Sequence, residues 1–185
     1  MVVVLRIGHR CVRDQRLTTH VCLAARAFGA EGVYIHGEKD EKLVEGVTKV
    51  VGKWGGKFFA QQIGNWVAFV KEWKGQGGKI AHLTMYGEKV QDVVGKIRKE
   101  KKLLVVVGAE KVEKEMYLAA DYNVAVTSQP HSEVAALTIF LDRYFEGNEL
   151  GREFGGAKVK IVPNKCGKSV LVCNKGAKQY KGEMC

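Results

Sequence analysis

The chain reads as an α/β domain built on a mainly parallel, doubly wound sheet, and three observations carry that reading. Short β-branched runs alternate with stretches of helical periodicity along most of the 185 residues, the pattern of repeated βαβ units. The run Leu103–Val107 is apolar at every position, as a strand buried on both sheet faces requires. Small or polar residues then follow the later strands, and ligands of open parallel sheets bind at such strand ends.

Each element has its own signal. Val2–Ile7 is a strand by composition, and Gly8–Arg16 reads as a loop carrying Arg10, Arg13 and Arg16 against Asp14. Thr18 or Thr19 caps a helix that buries Val21, Ala24, Ala25 and Phe28, and Gly29 stops it. A second strand, Gly32–His36, precedes helical spacing of Leu43, Val44, Val47, Val50, Val51 and Trp54, closed by Gly55-Gly56. The third strand is Lys57–Gln61. Asn65 caps a helix whose apolar face is Trp66, Phe69, Val70 and Trp73, a spacing that makes both tryptophans core residues. Lys79–Leu83 is a strand running into Thr84-Met85-Tyr86-Gly87, and Val90, Val93, Val94 and Ile97 mark the next helix. After Leu103–Val107 come Gly108-Ala109-Glu110, a short helical pattern, and the strand Asn123–Val126. Ser132 is placed to cap the following helix, with Glu133 at its positive end.

That last helix, 134–145, is apolar all round over Val134–Leu141. A helix of that kind must be covered on both sides, which predicts a homodimer with Leu137 and Phe140 in its interface. Past Gly147 the pattern changes: Lys158–Val162 and Ser169–Cys173 flank Pro163–Gly167 as a basic β-hairpin. The organisation expected is therefore a domain over 1–150 and a hairpin extension over 151–185.

Charge is distributed unevenly. Residues 1–26 carry five arginines against Asp14 and residues 151–185 carry eight basic residues against two acidic ones, whereas 27–150 is balanced at 17 of each. Concentration of the +10 net charge at both ends points to a polyanionic partner, nucleic acid above all. No apolar run approaches the ~18 residues of a membrane span, and Met1–Arg10 is too short for a signal peptide. Five scattered cysteines with no CxxC pair and no zinc spacing read as reduced thiols in the cytoplasm. There is no GxGxxG after the first strand and no GxxxxGK[ST], so dinucleotide and P-loop phosphate binding lose support.

Three strand-end segments, His82–Gly87 (HLTMYG), Gly108–Val112 (GAEKV) and Val126–Glu133 (VTSQPHSE), together resemble the cofactor loops of the SPOUT methyltransferases. The run Leu5–Ala30 (LRIGHRCVRDQRLTTHVCLAARAFGA) is similar to the archaeal tRNA (cytidine(56)-2'-O)-methyltransferases within that superfamily. The resemblance spans essentially the whole chain, and what it implies is specific. It implies a C-terminal trefoil knot, which no periodicity reveals, and S-adenosyl-L-methionine as cofactor. The cofactor would meet Leu83, Gly108, Ala109, Glu110, Lys111, Val112, Val126, Thr127, Ser128, Gln129, Pro130, His131, Ser132 and Glu133. The substrate implied is tRNA at its T-loop and elbow, contacted by Arg10, Arg13, Lys165 and Lys168, with no metal. One departure stands out: the position of the in-helix arginine of ribose-methylating relatives is occupied here by Leu23. Arg16 is then the catalytic candidate, with Arg10 and Arg13 in the same segment. Methylation of a different RNA nucleotide, or RNA binding without catalysis, remain the alternative readings.

Overall fold

The computed structural model describes residues 1–108, 112–174 and 177–183, the last span by its backbone. Six strands, β1 (Val2–His9), β2 (Gly32–Gly37), β3 (Phe59–Ile63), β4 (Lys79–Lys89), β5 (Leu103–Gly108) and β6 (Tyr122–Ala125), form one sheet. Their order is β3-β2-β1-β5-β4-β6, and every neighbouring pair is parallel. The helices are α1 (Cys11–Ala27), α2 (Glu41–Trp54), α3 (Trp66–Gly75), α4 (Val90–Ile97), α5 (Lys114–Ala119) and α6 (Glu133–Phe145). Alternation along each strand sends side chains to opposite faces. Val2, Val4, Val105 and Val107 meet Val21, Leu43, Val94, Leu137 and Phe140 on one face, so α1, α2, α4 and α6 cover it. Val3, Leu5, Leu104 and Val106 meet Trp66, Val70, Trp73 and Met116 on the other, beneath α3 and α5. The tryptophans are core residues, as their spacing predicts. Among the described residues no helix is long and apolar enough to cross a membrane.

Four local readings need correction. α1 begins at Cys11, seven residues ahead of Thr18, so Arg13 and Arg16 lie on a helix. No local side chain caps it; instead Glu38 Oε2, from beyond β2, accepts the Cys11 N–H at 2.7 Å, a tertiary cap invisible to local patterning. β3 lies two residues later than its hydrophobic run suggested. The tail forms three antiparallel strands, β7 (Val159–Val162), β8 (Lys168–Asn174) and β9 (Ala177–Glu183), in place of a hairpin. β9 reads Ala-Lys-Gln-Tyr-Lys-Gly-Glu, with no β-branched residue and one aromatic, which masks its strand character. Finally, Cys166 is disulfide-bonded, while Cys11, Cys22 and Cys173 are free thiols.

The all-round apolarity of α6 has a largely internal cause. Ala136, Leu137, Phe140, Leu141 and Tyr144 are buried within the chain, where α6 packs between α1 and α4. Ile139 alone among its large apolar residues stays substantially exposed, at 44 %. Arg98, at the end of α4, fixes the far end of α6. It donates to the carbonyls of Arg143 and Tyr144 at 2.8 and 3.0 Å and pairs with Glu146 at 3.0 Å.

Candidate active site

The site begins with an irregularity in β4. Leu83 and Glu88 are both in register with Val124 of β6, so Thr84–Gly87 leave the ladder between them. Gly87 makes this excursion sterically feasible, because a Cβ there would stand 2.4 Å from the Asn123 backbone. The displaced Thr84, Met85 and Tyr86 become one wall of a cavity of about 340 Å³ at the carboxyl ends of β4 and β5. Val107, Gly108 and Val112 form its floor, and Gln129, Pro130, His131 and Glu133 close it at the entrance to α6. This is the volume range of small-molecule sites, placed where open parallel sheets bind ligands.

Buried polar groups brace the cavity. His82 Nδ1 lies 2.8 Å from Asn123 Oδ1, and the Asn123 amide donates to the Tyr117 carbonyl at 3.0 Å. With the amide nitrogen so engaged, Asn123 Oδ1 is the acceptor and His82 Nδ1 carries the proton. Burial pushes the His82 imidazole below its ordinary pKa, against the hydrogen bond to Asn123, so it is neutral at physiological pH. Its ring stands edge-on to Tyr117 at 4.7 Å, and the Tyr117 hydroxyl meets Thr84 Oγ1 at 3.0 Å. On the other side, fully buried Arg6 of β1 has Nη1 3.6 Å from Glu133 Oε1. That contact ties the start of α6 to the central strand. Ser132 Oγ accepts the Val134 N–H at 3.1 Å and caps α6, as its position predicts.

Of the expected cofactor residues, Leu83, Gly108, Val112, Gln129, Pro130, His131 and Glu133 line the cavity. Ala109, Glu110 and Lys111 lie outside the described residues. Val126 packs against the core, the Thr127 hydroxyl accepts the Gln129 N–H at 3.4 Å, and Ser128 is exposed. His82, Thr84, Met85, Tyr86 and Tyr117 are lining residues that sequence reasoning did not single out; the HLTMYG run carried the signal for the first four.

The arginines separate. Arg10 lies on the rim of a neighbouring cleft with Gly8, His36, Glu38 and Val112, and Val112 also lines the cavity at the ends of β4 and β5. Asp14 holds Arg10 by accepting its Nε–H at 2.8 Å and its backbone N–H at 3.2 Å. The Arg10 side chain is the main reason the Asp14 carboxyl titrates below its ordinary range. Arg16, in contrast, is exposed in a groove between α1 and α2 with His20 and Lys42, outside the cavity of its own chain. Arg13 is exposed on the first turn of α1, and Lys165 and Lys168 are exposed around the β7–β8 turn.

Comparison with known proteins bears on this arrangement. A family model described as tRNA ribose 2'-O-methyltransferase, aTrm56, matches residues 54–171. The tRNA (cytidine(56)-2'-O)-methyltransferase of Methanopyrus kandleri is 57 % identical over 91 % of this chain and 94 % of its own length. Its counterpart in Pyrococcus horikoshii is 52 % identical over 99 % and 91 %. Among solved structures, the TrmH/SpoU tRNA modifying enzyme of A. aeolicus superposes with a TM-score of 0.57 at 17 % identity, over 83 % of this chain and 80 % of that one. The SpoU methyltransferase AviRb of Streptomyces viridochromogenes, in complex with the cofactor AdoMet, gives 0.55 at 13 % over 82 % and 59 %. Both share the α/β fold of the SPOUT methyltransferases. On the family match and on identity above half across nearly its whole length, the chain belongs to the tRNA ribose 2'-O-methyltransferases of the aTrm56 family.

Proposed function

We propose that the protein transfers a methyl group from S-adenosyl-L-methionine to the ribose 2'-oxygen of cytidine 56 in the T-loop of tRNA, acting in the cytoplasm. Relatives named for this activity, similar over more than nine-tenths of both chains, support the substrate. The observation that carries the chemistry is the cavity at the ends of β4 and β5 with an arginine-bearing cleft beside it. S-adenosylmethionine suits the cavity, where apolar Leu83, Val107 and Ala136 stand beside polar Thr84, Gln129 and Glu133. A ligand with an aromatic base and a charged amino-acid end needs both kinds of wall. When bound, it supplies a methyl group on a sulfonium centre. The trefoil knot is part of the same proposal.

The chain's task is to present a ribose hydroxyl to that methyl group and ease loss of its proton. A guanidinium is a poor base at its ordinary pKa, so the arginine acts electrostatically on the developing oxyanion or on the adjacent phosphate. Arg10 is placed to do this within one protomer. Arg16 serves the reaction only across a homodimer, with α1 of one protomer facing the cavity of the other. The tail, 151–185, is the tRNA-docking extension. Unmodified tRNA transcript incubated with methyl-labelled cofactor and then mapped by nuclease digestion should carry the label on the ribose of cytidine 56. Label on another nucleotide would reassign the substrate, and cofactor binding without any transfer would leave an RNA-binding role.

A further inference from the structure

A second constellation lies beside the cofactor cavity, at the start of α1. His9 ends β1, Cys11 opens α1, and Asp40 caps α2 from the end of the β2–α2 turn. Each offers one donor atom, and the three atoms lie within 4.8 Å of one another. The His9 ring is fully buried; its Nδ1 lies 2.9 Å from Thr18 Oγ1, and its Nε2 has no hydrogen-bond partner. Nε2 faces Asp40 Oδ2 at 3.6 Å. That is too long for a charge-assisted hydrogen bond of ~2.7–2.9 Å. It is close to the ~3.4 Å that separates nitrogen and oxygen ligands on a tetrahedral zinc ion with bonds of ~2.0–2.1 Å.

We propose that His9 Nε2, Cys11 Sγ and Asp40 Oδ2 form a binding site for a zinc-class transition-metal ion. The donor set decides the class. One imidazole, one thiolate and one carboxylate suit Zn²⁺ or Co²⁺, whereas Mg²⁺ and Ca²⁺ take oxygen ligands. Thr18 supplies the outer contact that metal-bound histidines use: by accepting the Nδ1 proton it directs the Nε2 lone pair at the ion. Asp40 is held in place by its own contacts: Oδ1 accepts the Leu43 N–H at 2.9 Å and Oδ2 accepts from the Gln15 amide at 3.0 Å. Cys11 donates to the Lys39 carbonyl at 3.3 Å in the metal-free arrangement. A thiol ligates as its thiolate, so binding the ion releases a proton. Gln15, Lys39 and Lys42 line the cleft above Cys11 and Asp40, which leaves a fourth position for water. Arg10 stands between two of the ligands, so the ion would fix the start of α1 and with it the arginine beside the cofactor cavity.

Full-length protein stripped with a chelator and titrated with Co²⁺ tests this. One equivalent should bind, with the visible bands of a tetrahedral site and a near-ultraviolet thiolate-to-cobalt band, and Zn²⁺ should displace it. Cys11→Ser should abolish the thiolate band while leaving the circular dichroism of the metal-free protein unchanged; Cys173→Ser should keep it. A wild-type protein that gives no tetrahedral cobalt spectrum, or a thiolate band that survives in Cys11→Ser, would overturn the proposal.

Discussion

At the scale of single residues, the two arginines make opposite predictions. Arg10 lines a cleft that shares Val112 with the cavity at the ends of β4 and β5 and is held by Asp14, whereas Arg16 lies in the α1–α2 groove. If Arg16 is the catalytic group, Arg16→Ala should leave tRNA and cofactor affinities within a few-fold and lower single-turnover methylation by about a hundredfold, the scale of losing one transition-state donor. Arg16→Lys should rescue poorly, because an ammonium cannot reproduce a planar two-pronged contact. If Arg16→Ala changes only tRNA affinity while Arg10→Ala removes the saturated rate, catalysis belongs to Arg10. His82 supports a pH prediction. Burial lowers its folded-state pKa, so its stabilising contribution is complete above the unfolded value of about 6.5. It is lost as pH falls through that value toward the folded one, because the unfolded chain then binds the extra proton. His36, lowered by burial too, acts in the same direction. Melting temperatures from about pH 7.5 down to 5 should fall, and His82→Gln should flatten part of that slope. Much of this scale was legible in the residue types: small and polar strand ends, a capping serine, an arginine-rich segment. Their grouping was not. His9, Cys11 and Asp40 match no ligand spacing, and only the β1–β2 pairing brings them together.

At the scale of elements, local signals read well where the cause is local. Asn65 accepts the Ala68 N–H at 3.0 Å and starts α3 as its side chain predicts. The start of α1 was misplaced because its cap comes from Glu38, 27 residues away. The expectation that α6 pairs two copies shows the same limit in another form. Leu137 and Phe140 are fully buried by α1 and α4, so a charge at either would unfold the monomer and say nothing about association. The face of α6 left for a second copy is Ala135, Ile139 and Arg143. Ile139→Arg should therefore give a folded monomer by light scattering with native circular dichroism; a persistent dimer would place the interface elsewhere. The tail is also joined by specific packing. Gly55 has φ +74°, and a Cβ there would approach the Ala157 nitrogen to 2.5 Å. The Arg26 guanidinium donates to the Gly55 carbonyl at 2.6 Å and lies 4.4 Å from the Phe154 ring. Gly55→Ala meets both left-handed strain and backbone collision, so a loss of about 2 kcal/mol or more is expected in urea unfolding. An unchanged midpoint would show that the junction yields freely.

At the scale of the whole molecule, charge and topology divide the work. The sheet gathers the cavity at the ends of β4 and β5 and the Arg10 cleft at one end, with Arg13 and Arg16 on the exposed side of the first turns of α1. The second basic group is carried by β7–β9, which is latched to the end of α2 by the Lys158 N–H on the Lys53 carbonyl at 2.9 Å and the Gly56 N–H on the Gly155 carbonyl at 2.8 Å. If this basic sheet docks tRNA, it should add affinity without touching the chemistry, as phosphate contacts generally do: they position and do not specify. Lys165 and Lys168 are exposed around the turn between β7 and β8, and neither lines the cavity at the ends of β4 and β5. Replacing each with alanine should weaken tRNA binding equally for methylated and unmethylated transcripts. The slope of log affinity against log salt should fall by about one unit for each phosphate contact removed. Cofactor affinity and the rate at saturating tRNA should not change. Should the double variant keep the wild-type salt slope, Lys165 and Lys168 do not meet the phosphate backbone, and the contact must come from other basic residues.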